Sequence, residues 1–384
     1  MGEKKILMLN YEYPPLGGGG GVAAKTLAEA FVQKGYHVDY VTTHFEELEK
    51  EEQINGVFIH RVPVWGKRNR ANASMISLLS FPVCAYRKCV QLCKQNEYAF
   101  INTHFAVPTG PLGVRISGKF KIPNMLSLHG GDIYDPTKKF SPHKWRILKT
   151  CIKYVLNHSD YVIAQSGNTK ENAEKYYPSK RKIRIIPLPY QEAVFDAVSR
   201  EDLGLKESDI YLISVGRLVG RKGYDYLLHA LAQMESHDLK LIILGEGPEW
   251  ENLQRIIKEK GLENRVMMPG FVSENRKMQY LNCADIYVLS SVHEGFGIVL
   301  QEAMQVGLPV VSTNNGGQND LIKENENGVL VEPCSAAALR SGICRLLDNR
   351  VLMDQMKQNN IRKVKEFAAD LIADAYIDCI KDGK

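Results

Sequence analysis

With 384 residues, 44% of them hydrophobic and 24% charged, the chain has the make-up of a soluble globular protein long enough for two domains, each with its own core. The net charge of +5 is unevenly divided: residues 1–190 carry 27 Lys and Arg against 15 Asp and Glu, residues 191–384 carry 22 against 29, which argues against a nucleic-acid partner and leaves the basic first half to an anionic acceptor or a membrane surface. No run of eighteen apolar residues occurs, the N-terminus enters a strand at once, and the eight cysteines form no C-x-x-C pair, so neither a spanning helix, a signal peptide nor a metal or redox centre is expected, and the location is cytoplasmic.

Residues 5–10 are a short apolar strand. Tyr11-Glu12-Tyr13-Pro14-Pro15-Leu16 and five glycines, Gly17 to Gly21, then lead to a helix predicted over 22–34. Gly18, Gly20 and Ala23 have the spacing of a dinucleotide fingerprint, with Asp39 where its ribose-binding acid would stand. A dinucleotide site turns the chain at the strand end, however, and here seven residues with two prolines intervene, so the run reads better as a flap over a ligand. Strands at 37–42, 57–62, 99–103, 123–128, 161–165 and 183–188 alternate with helical patterns, the signature of a parallel sheet wound on both sides.

Before the third of these strands, Trp65-Gly66-Lys67-Arg68-Asn69-Arg70 leads into the apolar stretch from Met75 to Phe81 and a helix with Arg87 and Lys88. That combination fits an interfacial membrane patch, giving peripheral contact on the inner face of the membrane, or a helix packed on the sheet with a solvated start. His129-Gly130-Gly131-Asp132 follow the strand at 123–128, on the sheet edge where α/β proteins bind ligands. Tyr134, Lys138, Lys139, Lys144, Arg146 and Lys149 come next, as contacts for an anionic acceptor or as a solvated face.

A boundary is predicted at 189–208, where proline and charge break the pattern. Strands at 211–215, 239–244, 265–268, 286–290, 309–312 and 328–331 make a second α/β unit, and a last helix at 364–380 stands outside any strand-helix pair. Gly216-Arg217-Leu218-Val219-Gly220-Arg221-Lys222-Gly223 leaves the first strand of this unit, and Gly270-Phe271 ends the third. From His293 to Glu302 the chain turns from strand to helix. Gly295 and Gly297 let the backbone approach a diphosphate, and the helix tip attracts an anion. Glu294 lies in the loop and Glu302 about two turns into the helix; both carboxylates would repel phosphate unless they face hydroxyls, which points to a sugar nucleotide. No Asp-x-Asp occurs, so fixed cations are expected to hold the charge of a leaving diphosphate, Arg217 and Lys222 first, with Arg221 competing in second place.

Glu294 and Glu302, eight apart around Gly-Phe-Gly, resemble the E-x7-E motif of retaining glycosyltransferases of the GT-B fold, family 4, also called glycosyl transferases group 1. Similar to that family too are the Tyr-Pro-Pro-Gly loop, His129-Gly130-x-Asp132, Gly216-Arg217-Leu218 with Lys222-Gly223, Gly270-Phe271, and Gly316-Gly317-x-x-Asp320, where the family has Glu in the last position. The likeness spans most of the chain. It implies two Rossmann-like, doubly wound parallel-sheet α/β domains facing across a cleft: 1–190 on the acceptor side, 191–363 for the nucleotide sugar, and 364–384 as a helix crossing back to the first. It implies His129, Arg217, Lys222 and Glu294 as catalytic residues. Gly18, Gly19, Gly20, Gly216, Gly270, Phe271, Phe296, Gly297, Ile298, Val299 and Glu302 would join Arg217, Lys222 and Glu294 in binding the donor, with Glu302 on the ribose diol and Glu294 on the sugar. Asp132 and Tyr134 would meet the acceptor, a saccharide or lipid-linked intermediate of surface polysaccharide or glycolipid synthesis. The nucleoside-diphosphate sugar is then a co-substrate, and neither a metal nor another cofactor is required. A phosphorylase or sugar-nucleotide epimerase of the same fold, an NAD-dependent oxidoreductase and a non-catalytic sugar-nucleotide sensor are the alternatives.

Overall fold

The first apolar run becomes a central strand of an eight-stranded sheet. The computed structural model describes residues 4–67, 74–137 and 141–382, and it divides into a unit of Met1–Gln191 with Phe367–Lys384 and a unit of Glu192–Glu366. Arg68, Asn69 and Arg70 of the candidate membrane patch and Lys138 and Lys139 of the basic run lie outside the described residues.

In chain order the first unit contains β1 (Lys5–Leu9), α1 (Gly19–Gln33), β2 (His37–Thr43), β3 (Glu51–Ile54), β4 (Val57–Val62), α2 (Met75–Gln95), β5 (Tyr98–His104), α3 (Gly110–Phe120), β6 (Asn124–Leu128), α4 (Arg146–His158), β7 (Tyr161–Ala164), α5 (Gly167–Tyr176) and β8 (Ile183–Ile185). The sheet order is β3-β4-β2-β1-β5-β6-β7-β8, parallel except for β3 against β4. Strand order reverses between β1 and β5, the place where doubly wound sheets take ligands at their carboxyl ends. β3 was not expected, because Glu51-Glu52-Gln53 shows no apolar alternation. Its signal is the Asn55-Gly56 turn, at φ +49 and +83, which folds this acidic edge strand back on β4.

The second unit contains β9 (Ile210–Val215), α6 (Tyr224–Ala232), β10 (Leu239–Leu244), α7 (Trp250–Glu259), β11 (Val266–Gly270), α8 (Glu274–Cys283), β12 (Ile286–Leu289), α9 (Ile298–Gln305), β13 (Val310–Thr313), β14 (Gly328–Val331), α10 (Ala336–Leu347) and α11 (Arg350–Lys363). Its six parallel strands run β11-β10-β9-β12-β13-β14, with the reversal between β9 and β12. Pro269 is tolerated within β11 because that strand is the sheet edge. The core joins Leu212, Leu241, Ile243, Val288 and Val311 of the strands to Leu227, Leu231, Leu253, Ile343 and Leu346 of the helices.

The last helical stretch is broken into a short turn, Val364–Phe367, and α12 (Ala369–Lys381). Ile372, Ala373, Tyr376 and Cys379 of α12 pack beside α1 on one face of the first sheet, with the Tyr376 ring edge-on to Phe31 at 6.2 Å. Helices α2 to α5 occupy the opposite face. Without α12, the strands beyond β1 would present bare apolar side chains on the α1 face.

Candidate active site

Two turns leave the carboxyl edge of the second sheet at its reversal point, and glycines let their backbones touch. Gly223, at φ +61, closes the turn after β9; a Cβ there would stand 2.2 Å from the carbonyl oxygen of Ser290, in the turn after β12. Ser290 Oγ donates back to Lys222 O at 2.8 Å. Held by these contacts, buried Lys222 points Nζ at Glu294 Oε2, 2.5 Å away, while the Arg221 guanidinium lies 3.4 Å from Oε1 and donates to His293 O. Gly216 lies against the lysine stem, where a Cβ would come within 3.3 Å of Lys222 Cε. Arg217, at the exit of β9, is exposed; it is Arg221, given second place by the sequence, that joins Lys222 on Glu294.

Burial by itself would raise the Glu294 carboxyl, but the charges of Lys222 and then Arg221, with their hydrogen bonds, outweigh it and hold the group at about 2. Glu294 is therefore an ionised acceptor throughout the neutral range. Its main chain is clamped from the other side. Gly317 N donates to Glu294 O at 2.8 Å, and Gly316, at φ +136, lies so close that a Cβ would be 2.2 Å from the same oxygen. The Gly316-Gly317 stretch thus braces Glu294 through backbone, and Asp320, in place of the family's Glu, sits exposed.

Gly297, at φ +106, starts α9. The first bond of the helix runs from Leu300 N to Gly297 O at 2.8 Å, so the amides of Ile298 and Val299 precede it at the positive end of the dipole. Phe296 is buried beneath the turn. Two turns on, Glu302 Oε1 accepts from Lys277 Nζ at 2.9 Å, and Oε2 is buried with no hydrogen-bond partner. Burial raises this carboxyl against the pull of Lys277. An orphaned buried acceptor costs stability until a donor arrives, and a diol supplies one. Lys277, on α8, was not foreseen; nothing in its local sequence marks it. Gly270 ends β11 at φ +83, its carbonyl accepting from Gly245 N at 2.9 Å, and the Phe271 ring beyond it is 76% exposed.

In the first unit the glycine run is not the flap expected. α1 starts three residues early, so that Gly19, Gly20 and Gly21 form its first turn, and Gly18 N is held by Glu12 Oε2 at 3.0 Å. Packing overrides the poor helix propensity of glycine here, since a Cβ on Gly20 would lie 2.5 Å from Phe105 Cζ and one on Gly21 3.0 Å from Glu12 Cβ. Asp39, the would-be ribose acid, is buried and spent on Tyr98 Oη and His60 Nε2, each at 2.7 Å, which removes the dinucleotide reading.

Facing the first turn of α1 are the ends of β5 and β6. Phe105 sits at φ +72, a strained conformation for an aromatic residue, with its ring 4.3 Å from that of His129. His129 is buried, and burial pushes its ring down to about 3. Asp132 accepts from His129 N at 3.0 Å and from Ala106 N at 2.6 Å, so this carboxylate stitches the two loops together. Tyr134 stacks on Tyr176 at 5.4 Å, with His143 beside it, and Lys144 and Arg146 are exposed nearby in sequence. His104 and Phe105 escaped the sequence reading, although a histidine at the end of an apolar strand was the very sign that singled out His129.

The protein-family model described as glycosyl transferases group 1 matches residues 196–363, and the one described as glycosyltransferase family 4 matches residues 17–191. An uncharacterized glycosyltransferase of Methanocaldococcus jannaschii is 28% identical over 98% of this chain and 98% of its own. Among solved structures, sucrose-phosphate synthase from Thermosynechococcus elongatus has a TM-score of 0.87 at 22% identity, covering 99% of each chain. Anabaena HepE in complex with UDP-glucose has a TM-score of 0.76 at 20% identity, covering 98% of this chain and 99% of that one.

Proposed function

Because the chain belongs to the group 1, family 4 glycosyltransferases and has their GT-B fold, we propose that it moves a hexosyl group, with retention, from a UDP or GDP sugar to an acceptor hydroxyl. The observation that carries this reading is the buried Lys222–Glu294 pair beside the open amides of α9. The donor diphosphate lies at that helix tip, with Lys222 and Arg217 as its cations. As the bond from the anomeric carbon to the phosphate oxygen breaks, negative charge collects on the diphosphate, and a fixed ammonium already in place stabilises it without reorganisation. Glu294 accepts from sugar hydroxyls, Glu302 Oε2 from the ribose, and His129 is assigned to the sugar. The acceptor oxygen bonds to the anomeric carbon on the face the phosphate leaves, and the leaving oxygen takes the acceptor proton, so no protein nucleophile and no metal are called for. HepE with UDP-glucose bound supports a uridine donor.

Thermal shift against UDP, GDP and ADP sugars and NADH tests the reading. One sugar nucleotide should raise stability by about 2.7 kcal/mol at a hundredfold excess over Kd. A response to NADH alone would transfer the protein to the oxidoreductases.

We further propose a lipid-linked or surface-polysaccharide acceptor, reached at an anionic membrane. Helices α2, α3 and α4, with α3 packed between the other two, contain eight Lys and Arg and no acidic residue. Ser77, Phe81, Ala85 and Cys89 of α2 face the core, while Met75, Ile76, Leu79 and Val83 of α2 and Ile147 of α4 are more than half exposed. The packed-helix reading describes the buried face of α2, and the membrane contact is proposed for the exposed one. Among the described residues no helix is long and apolar enough to cross a membrane. Vesicles containing anionic lipid should retain the protein on flotation where neutral vesicles do not; equal behaviour with both would discard the membrane contact.

A further inference from the structure

A line of buried polar side chains joins α12 to the histidine of the first unit. Tyr376 Oη lies 3.1 Å from Ser127 Oγ. Asn102 Nδ2 donates to Ser127 Oγ at 3.1 Å and to the carbonyl of Met125 at 3.2 Å. A carbonyl can only accept, so the amide orientation of Asn102 is determined, and its Oδ1 is the atom 2.8 Å from His104 Nε2. His104 therefore carries its proton on Nε2. The ring is neutral, because burial and then the neighbouring His129 hold its pKa well below the ordinary histidine value. Its Nδ1 is left as a bare lone pair, 2.9 Å from His129 Nε2, which must supply the proton of that contact. Only one ring nitrogen of a neutral histidine is protonated, so Nδ1 of His129 is a lone pair as well. That atom is buried and has no partner in the protein. It lies under the first turn of α1, where a Cβ on Gly20 would be 3.4 Å away and where the glycines leave no side chain over it. The Phe105 ring, tilted 32° to it with centroids 4.3 Å apart, packs against the imidazole.

We infer that His104, oriented by Asn102, is a positioning residue that locks His129 into the tautomer whose free nitrogen only accepts, and that the site selects a ligand presenting a hydroxyl there. A carboxylate or phosphate oxygen would meet lone pair with lone pair, whereas a sugar hydroxyl donates. The inference rests on the proposed sugar-nucleotide reading for its ligand, but the tautomer itself does not.

The test is histidine-selective 15N NMR of the full chain, together with transfer kinetics. In the wild type, His129 should show a protonated Nε2 and a bare Nδ1. His104→Leu, and separately Asn102→Leu, should abolish that pattern and lower kcat by about tenfold, the worth of one hydrogen bond, with little change in donor KM. His104→Asn, whose Oδ1 stands near the lost Nδ1, should restore both. Asn102→Leu keeps both rings, so the proposal stays testable if His104→Leu does not fold. A protonated Nδ1 in the wild type, or an unchanged His129 pattern in both leucine variants, overturns the inference. A wild type that shows the expected tautomer but transfers no sugar from any donor would instead refute the glycosyltransferase reading and leave the tautomer lock standing.

Discussion

Lys222→Met is expected to lower sugar transfer by about 10²- to 10³-fold, the loss seen when one fixed partner of a developing anion is removed. It should also destabilise the fold. Glu294 is buried, and without Lys222 its charge loses the nearer of its two cations, a change that costs about 3–5 kcal/mol for a broken buried pair. The double variant Lys222→Met with Glu294→Gln removes the uncompensated charge and should recover most of that stability while staying inactive. Urea unfolding and donor consumption, measured side by side, separate the two effects. If Lys222→Met were inactive only because it unfolds, its transfer per folded molecule, read against the unfolding curve, would match the wild type; the account predicts a loss of about 10²- to 10³-fold per folded molecule.

Gly223→Ala should have the second largest effect. Its φ of +61 alone would cost an alanine about 1–2 kcal/mol. The decisive contact is the one with the Ser290 carbonyl, 2.2 Å from the added Cβ, because neither backbone can yield without moving the turn that carries Lys222. A total loss on the order of 3 kcal/mol and a drop in transfer comparable to that of Lys222→Met are expected. Gly204→Ala is the control: it has a similar φ of +71 and nothing within 4 Å of its Cβ, so it should cost only the backbone strain. Equal destabilisation by the two substitutions would show that the contact between the turns after β9 and β12 is not what holds Lys222 in place.

Much of this architecture could be read from the residues alone, for a physical reason. Central parallel strands are buried on both faces and so appear as apolar runs, and a glycine or a charge just after such a run marks the ligand edge. That logic singled out His129, Lys222 and Glu294, and the structure brings the last two together. It missed β3, whose polar residues lie at an exposed edge and whose only mark is the Asn55-Gly56 turn. It also mistook Gly19 to Gly21 for a free flap, because the contacts that require glycine there come from Phe105 and Glu12, distant or outside the helix pattern. Buried polar partnerships were the least visible. Lys277 meets Glu302, and Asn102 reaches His129 through His104, only after strands and helices far apart in sequence have been packed together. Periodicity reports which face of an element is buried, and is silent on which polar atom a buried side chain will find.

Isothermal titration calorimetry with nucleoside diphosphates and monophosphates tests the central claim most directly, since it needs no knowledge of the acceptor. UDP or GDP should bind at least about tenfold more tightly than UMP or GMP, a difference of about 1.4 kcal/mol for the phosphate held by Lys222 and the α9 amides, and the preference should vanish in Lys222→Met. Equal affinity for mono- and diphosphate, or a preference untouched by that substitution, would contradict it.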